Sequence, residues 1–89
     1  TTAQYKQESG IWQVEGTTDL QVSGGTMEIR LHRNGALIAT GVTVDQNNGV
    51  WNTGEVAPAD PAAVPQAGDH IVIRSVPNDQ TADGIVTLN

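Results

Sequence analysis

Two stretches of this chain carry oxygen-bearing side chains at a spacing that suits a calcium ion. In the first, Asp45, Asn47 and Gly49 alternate within the segment DQNNG. Alternating oxygen ligands with a glycine at a sharp turn are typical of calcium loops, but the bidentate glutamate that completes an EF-hand is missing. Because alternating strands flank the segment, a hairpin turn is the favoured interpretation. Asp45 and Asn47 stay as candidate calcium ligands.

The second stretch is NDQTADG, which contains Asp79 and Asp83. Hard cations need several oxygen ligands, and the loops at one end of a β-sandwich lie close together. Asp60 and Asp69 are two further carboxylates that such an end could contribute, although the sequence does not determine which loops share an end. Solvated turn acids are the alternative. The sequence thus requires no cofactor, and calcium is the one candidate ion.

The aromatic side chains are few: Tyr5, Trp12 and Trp51. Exposed rings could stack on sugar faces, which makes these three the candidate ligand-binding residues of a carbohydrate-binding module. Core packing is the favoured interpretation of both tryptophans, because the chain has no phenylalanine and a small sandwich needs bulky core residues. Trp12 also alternates in phase with Val14.

No set of residues predicts catalysis. His32 lies on the polar face of a predicted strand, and His70 begins another strand beside Asp69. A neighbouring histidine and aspartate do not form a triad without a nucleophile and the orienting geometry. The serines lack a G-x-S-x-G context, and cysteine is absent. We therefore expect a non-enzymatic protein with no catalytic residues.

Composition limits the partners of the chain. Its 89 residues suit a single domain. Ten acidic residues against four basic ones give a net charge of -6. The four basic residues are scattered along the chain, so it lacks the clustered cations that a nucleic-acid binder needs. No apolar run approaches the ~20 residues that span a bilayer, so membrane insertion is not expected. The opening TTAQ predicts that the chain is a module cut from a longer protein. We expect this module to be monomeric.

The residue pattern predicts an all-β fold. Val, Ile and Thr supply 26 residues, and ten glycines with four prolines interrupt every candidate helical stripe. Met27, Ile29 and Leu31 share one face of a strand, which predicts one buried and one solvated face. Asn34-Gly35 predicts a two-residue type I′ hairpin turn, and Gly41 predicts a bulge or an end of pairing.

About seven short strands are predicted, with turn signals roughly every 8–12 residues. The predicted strands cover residues 4–8, 11–15, 26–33, 36–44, 50–53, 70–76 and 85–88. This pattern is typical of an immunoglobulin-like β-sandwich of antiparallel strands, with a small barrel as the alternative. The proline-rich segment 54–69 is predicted to be a long crossover at one end of the sandwich.

Four segments, taken in order, resemble a bacterial Ig-like repeat module. They are VEGT at 14–17, IRLHRNG at 29–35, TVD with GVW within 43–51, and AGDHIVIRSVPND at 67–79. They correspond in order to the family motifs V-x-G-T, v-x-l-x-x-n-G, T-V-D-x-x-G-x-W and a-G-x-h-x-i, with one residue more between Asp45 and Gly49, and together they extend over most of the chain. The crossover is longer than in typical members. The usual D-x-A-G-N ending is replaced by NDQTADG, which puts a metal role of the final turn in doubt.

The resemblance implies a structural or spacer module of a bacterial secreted or cell-surface protein, such as an adhesin repeat. Its partners would be the neighbouring domains of the parent chain, and some adhesin arrays use calcium to stiffen the junctions between repeats. Similar modules also lie beside the catalytic domains of secreted polysaccharide-degrading enzymes. A carbohydrate-binding accessory module, with polysaccharide as its partner, is therefore the alternative.

Overall fold

The computed structural model describes residues 2–17, 25–45, 47–75, 79 and 81–89. These residues form seven β-strands and no helix, which confirms the predicted all-β class. Within the same residues no helix is long and apolar enough to cross a bilayer. The strands are β1 Thr2–Lys6, β2 Ile11–Thr17, β3 Thr26–Leu31, β4 Leu37–Thr43, β5 Val50–Asn52, β6 His70–Ser75 and β7 Thr81–Leu88.

The seven strands form one mixed sheet in the order β4-β3-β6-β7-β1-β2-β5. An antiparallel bridge between Val44 and Trp51 brings the two edge strands of the sheet, β4 and β5, together, so the sheet is nearly closed into a barrel. β7 joins the two halves, because residues 81–85 pair with β6 and residues 86–88 pair with β1. The β1–β7 pair is parallel, so the prediction of antiparallel strands throughout is wrong for this pair.

The strand directions give the barrel two distinct ends. β4 leads into β5, and β6 leads towards β7, at the end that we call the Asp45 end. The turns at 7–10 and 32–36 and the crossover 53–69 lie at the opposite end, which we call the Asp69 end. The described residues extend over 36 × 20 × 20 Å, with one axis nearly twice the others.

The barrel interior is filled by alternate residues of the strands, as a period of two requires. Met27, Ile29 and Leu31 are buried on the inner face of β3, whereas Glu28 and Arg30 face outward. This confirms the predicted buried face. The largest side chains with almost no exposed surface are Trp12, Ile29, Leu31, Ile38, Ile71 and Val14.

The crossover between β5 and β6 covers the Asp69 end of the barrel. Its Ala63 is fully buried, and the Ala63 carbonyl accepts a hydrogen bond of 2.9 Å from the indole Nε1 of Trp12. Two side chains of the β3–β4 turn donate to neighbouring carbonyls, Asn34 Nδ2 to Ala62 and Arg33 Nη2 to Val64. The crossover also makes backbone hydrogen bonds of its own, since Val56 exchanges two with Trp12, and the N–H groups at 59 and 60 donate to carbonyls of β4.

The turns differ from the predicted ones in their details. A type I′ turn needs positive φ at two residues, but in the β3–β4 connection only Gly35 has it, at 70°. The connection is longer than two residues: Leu31 N–H donates to the Ala36 carbonyl, and the Asn34 side chain accepts from Ala36 N–H. Of the two alternatives predicted at Gly41, a bulge or an end of pairing, the structure has the bulge: the register of β4 against β3 shifts there, and Gly41 has a φ of 69°.

The predicted final strand is too short by four residues. The polar, glycine-containing sequence of Thr81 to Gly84 predicts a turn, yet these residues belong to β7. There Thr81 pairs with Arg74, and Asp83 pairs with Val72. Cross-strand partners on β6 supply the pairing that overrides the low β-propensity of these residues.

Candidate functional site

The described residues of the DQNNG segment, Asp45 and 47–49, form a hairpin turn between β4 and β5. Asp45 N–H donates to the Val50 carbonyl at 2.9 Å, and Gly49 N–H donates to the Asp45 carbonyl at 2.8 Å. The Asp45 carboxylate accepts from the backbone N–H of Asn47 at 2.8 Å, which is the geometry of an Asx turn. The hairpin interpretation is therefore confirmed. Asp45 and Asn47 are exposed, and the Asp45 carboxylate already accepts a hydrogen bond within the turn.

The other acidic candidates divide between the two ends of the barrel. Asp79 lies at the Asp45 end with a φ of 56°, and its carboxylate accepts from Arg74 Nη1 at 2.7 Å. Asp83 is an exposed residue of β7. Asp60 and Asp69 lie at the opposite end, where both carboxylates accept from backbone N–H groups of the crossover. Across the described part of the chain, no group of three or more His, Cys, Asp or Glu residues is placed to hold a metal ion.

The acidic candidate ligands do not come together in one group. Asp45 and Asp79 share an end of the barrel, but they lie on turns whose strands are separated by β3. Calcium binding by Asp45, Asn47, Asp79 and Asp83 stays a prediction. Among the described residues, each of the two turn carboxylates, those of Asp45 and Asp79, already accepts a hydrogen bond from the protein.

The three aromatic rings belong to the core. Trp12 is fully buried, Trp51 is 2% exposed and Tyr5 is 6% exposed. The Tyr5 and Trp12 rings lie 5.0 Å apart between centroids at an angle of 60°, a tilted pairing of the kind that aromatic quadrupoles favour. Stacking on a sugar needs an exposed ring face, which none of the three presents. The structure thus places these candidate ligand-binding residues inside the barrel.

A charged cluster that the sequence analysis missed lies on the outer face of β3 and β6. Glu28 stands opposite Arg74 in the antiparallel register and accepts from Arg74 Nη2 at 2.7 Å. Arg30 Nε donates to the other oxygen of the same carboxylate. Arg74 also reaches Asp79, so Glu28, Arg30, Arg74 and Asp79 form one chain of ion pairs. The spacing of Glu28 and Arg30 on one strand face was visible in the sequence, but the contact with Arg74 depends on strand register.

Hydrogen bonds to the two arginines determine the electrostatics of this cluster. The guanidinium of Arg74 and then that of Arg30 hold the pKa of Glu28 below its ordinary value, against a smaller opposing effect of burial. Glu28 has a side chain that is only 12% exposed, whereas the two arginines are nearly half exposed. Water therefore screens the pairs from one side, and we expect their contribution to stability to be modest.

Acid should remove the contribution of Glu28. Because its pKa is lowered by folding, the stabilisation is present above the ordinary range of a glutamate and is lost as the pH falls through the folded-state pKa. We expect Glu28→Gln to reduce the free energy of unfolding by about 1 kcal/mol at neutral pH and by much less in acid. Urea titrations of both proteins at neutral and acidic pH measure the difference.

Glu55→Gln is the matched control for this test. Glu55 pairs with Lys6 at 2.7 Å, but its side chain is 61% exposed, so its replacement should have the smaller effect at neutral pH. An equal loss for Glu28→Gln at neutral and acidic pH would show that the lost stability comes from packing and not from the charge.

Comparison with family models, with curated proteins and with solved structures finds no match to this chain.

Proposed function

We propose that this chain is a non-catalytic, immunoglobulin-like structural or spacer module of a bacterial secreted or cell-surface protein, of the adhesin-repeat kind. Three features support the proposal: the order of the strands, the relative direction of the first and last strands, and the four sequence segments that resemble bacterial Ig-like repeats. The direction of those two strands is the observation that carries it.

The strand order supports the immunoglobulin-like part of the proposal. In that fold, strands A, B and E are neighbours in one sheet, and strands C, F and G are neighbours in the other, with C′ beside C in the larger variants. Here β1, β2 and β5 are neighbours in that order, as are β3, β6 and β7, and β4 lies beside β3. In this mapping the long β5–β6 crossover is the connection between strands E and F. β7 connects the two halves by its parallel pairing with β1.

The parallel pairing of β1 with β7 supports a spacer role. The register pairs Ala3 with Val86 and Tyr5 with Leu88, and it continues past the strands, since Asn89 N–H donates to the Tyr5 carbonyl. Because β1 and β7 run in the same direction, the chain enters β1 at one end of the barrel and leaves β7 at the opposite end. Domains joined in this way follow one another along a line, and tension along that line loads the β1–β7 hydrogen bonds in shear, all at once.

A force measurement tests this proposal. When the domain is pulled through handles at its two ends, we expect a single cooperative unfolding event, because the shear-loaded β1–β7 pair must yield before the barrel opens. Thr87 is exposed and pairs with Gln4 in that parallel ladder. Thr87→Pro removes a backbone donor there, so it should lower the unfolding force and raise the unfolding rate.

Thr87→Val is the matched control, because it keeps the backbone donor and the β-branched shape. Its unfolding force should equal that of the wild type. Gradual extension of the wild-type domain at low force would contradict a load-bearing spacer. A Thr87→Pro domain that is less stable in urea but unchanged under force would show that β1–β7 does not carry the load.

The alternative function, a carbohydrate-binding accessory module, is not favoured by any contact in the described residues. Its expected binding rings are those of Tyr5, Trp12 and Trp51, which are buried. The outer faces of the strands that carry these rings present polar side chains such as Gln4, Gln13 and Asn52 in their place.

A further inference from the structure

The two histidines of the chain lie next to each other where the neighbouring strands β3 and β6 end and begin. His32 follows the last residue of β3, and His70 is the first residue of β6. His32 N–H donates to the His70 carbonyl at 3.0 Å, and the next pair inward is Leu31 with Ile71. The two residues are far apart in the sequence, so only the fold brings them together.

Both histidines belong to the solvent face of the sheet. Leu31 and Ile71 are fully buried, and successive residues of a strand point to opposite faces, so His32 and His70 project outward. Both are exposed. Side chains directly opposite each other in an antiparallel pair have Cβ atoms about 5 Å apart. Two imidazoles on such a pair can reach one ion between them.

We propose that His32 and His70 form a two-histidine binding site for a divalent transition metal ion, with copper(II) bound most tightly. Imidazole is a preferred ligand of copper, nickel and zinc, and affinity for a given nitrogen site peaks at copper in the divalent series. Water would complete the coordination on the exposed side. Calcium, which takes oxygen ligands, should not bind at this pair.

The charges around the pair favour a cation. The Asp69 carboxylate directly precedes His70 and is held in place by the backbone N–H of Gln66 at 2.7 Å and by Arg33 Nε at 3.1 Å. These two contacts fix the Asp69 carboxylate beside the histidine pair. Arg33, the residue after His32, is the partner of this carboxylate in an ion pair, and the chain as a whole carries a net charge of -6.

The sheet holds the two ligands in place before any metal arrives. Five consecutive residues of β3, Met27 to Leu31, pair with β6 in an unbroken register that ends beside the histidines. Two ligands fixed at a short separation bind as a chelate, with a gain over either ligand alone of about 100-fold or more. The unfolded chain loses this chelate, so the metal should stabilise the native state.

Calorimetric titration of tag-free, amino-terminally acetylated protein with copper(II), nickel(II), zinc(II) and calcium tests the site. We expect one copper per chain, weaker nickel and zinc binding, and a rise in Tm with copper of about 10 °C at 100-fold saturation. His32→Gln and His70→Gln should each lower copper affinity by about 100-fold. The copper paramagnetic resonance spectrum should show two nitrogen ligands in the wild type and one in either variant.

The double variant Asp45→Asn with Asp79→Asn is the control, and it should bind copper as the wild type does. Three results would overturn the proposal: two independent copper ions per chain, less than a threefold loss in both histidine variants, or loss of binding in the aspartate double variant. Both histidines are exposed, so the metal-free Tm of each glutamine variant should match that of the wild type and show that the fold is intact. The outcome is independent of the force measurement.

Discussion

Trp12→Ala is expected to reduce the free energy of unfolding by about 3–5 kcal/mol, the cost of removing a large aromatic side chain from a packed core. Trp12 is fully buried, pairs with the Tyr5 ring, and donates its indole N–H to the Ala63 carbonyl. A domain of this size has about 5–10 kcal/mol of stability in total. The substitution should therefore lower the Tm by about 20 °C or more.

Urea unfolding followed by the fluorescence of Trp51 measures this effect, because Trp51 is then the only tryptophan and is buried in the native state. Trp12→Phe separates the two contributions of the side chain. It keeps most of the apolar volume but leaves the Ala63 carbonyl without its donor, at a cost of about 1–3 kcal/mol. A loss below 1 kcal/mol for Trp12→Ala would contradict the central position of this ring and the anchoring of the crossover by it.

The second large effect is expected from Ile29→Ala, which should cost about 2–5 kcal/mol. Ile29 is fully buried in the middle of β3, between β4 and β6. Its replacement leaves a cavity that the two flanking strands cannot close, because their backbones are held in the ladder. Thermal and urea unfolding of the variant measure the loss.

Ile85→Ala is the matched control within the same chain. Ile85 also lies in a strand, but 66% of its surface is exposed, and its replacement should change stability by no more than about 0.5 kcal/mol. Similar losses at both positions would contradict the inward and outward assignment of the two residues. A loss at Ile85 alone would indicate that a partner covers β7 in solution.

The sequence alone predicted most parts of this fold that depend on near neighbours in the chain, although the type and length of the β3–β4 turn were wrong. The alternation of Met27, Ile29 and Leu31 predicted a strand with one buried face, since a period of two places alternate residues on one side. The DQNNG hairpin and the bulge at Gly41 were also predicted, because backbone conformation at a turn depends on the few residues within it. The two tryptophans were correctly assigned to the core from the scarcity of other bulky side chains.

Several predictions failed where a partner distant in sequence decides the outcome. The sequence of Thr81 to Gly84 predicts a turn, yet these residues pair with β6 and form part of strand β7. The parallel pairing of β1 with β7 has no local signal, because parallel strands are brought together by the whole topology and not by a turn.

Strand register determines which of the candidate site residues lie close together. The sequence indicated Asp45 and Asp79 as candidate calcium ligands and assigned His32 and His70 no function, and it could not determine which of these side chains meet. The fold keeps the two aspartates on separate turns and sets the two histidines next to each other at the Asp69 end. The physical reason is that a side chain's type is a local property, whereas the distance between two side chains depends on the register of strands that only the folded sheet determines.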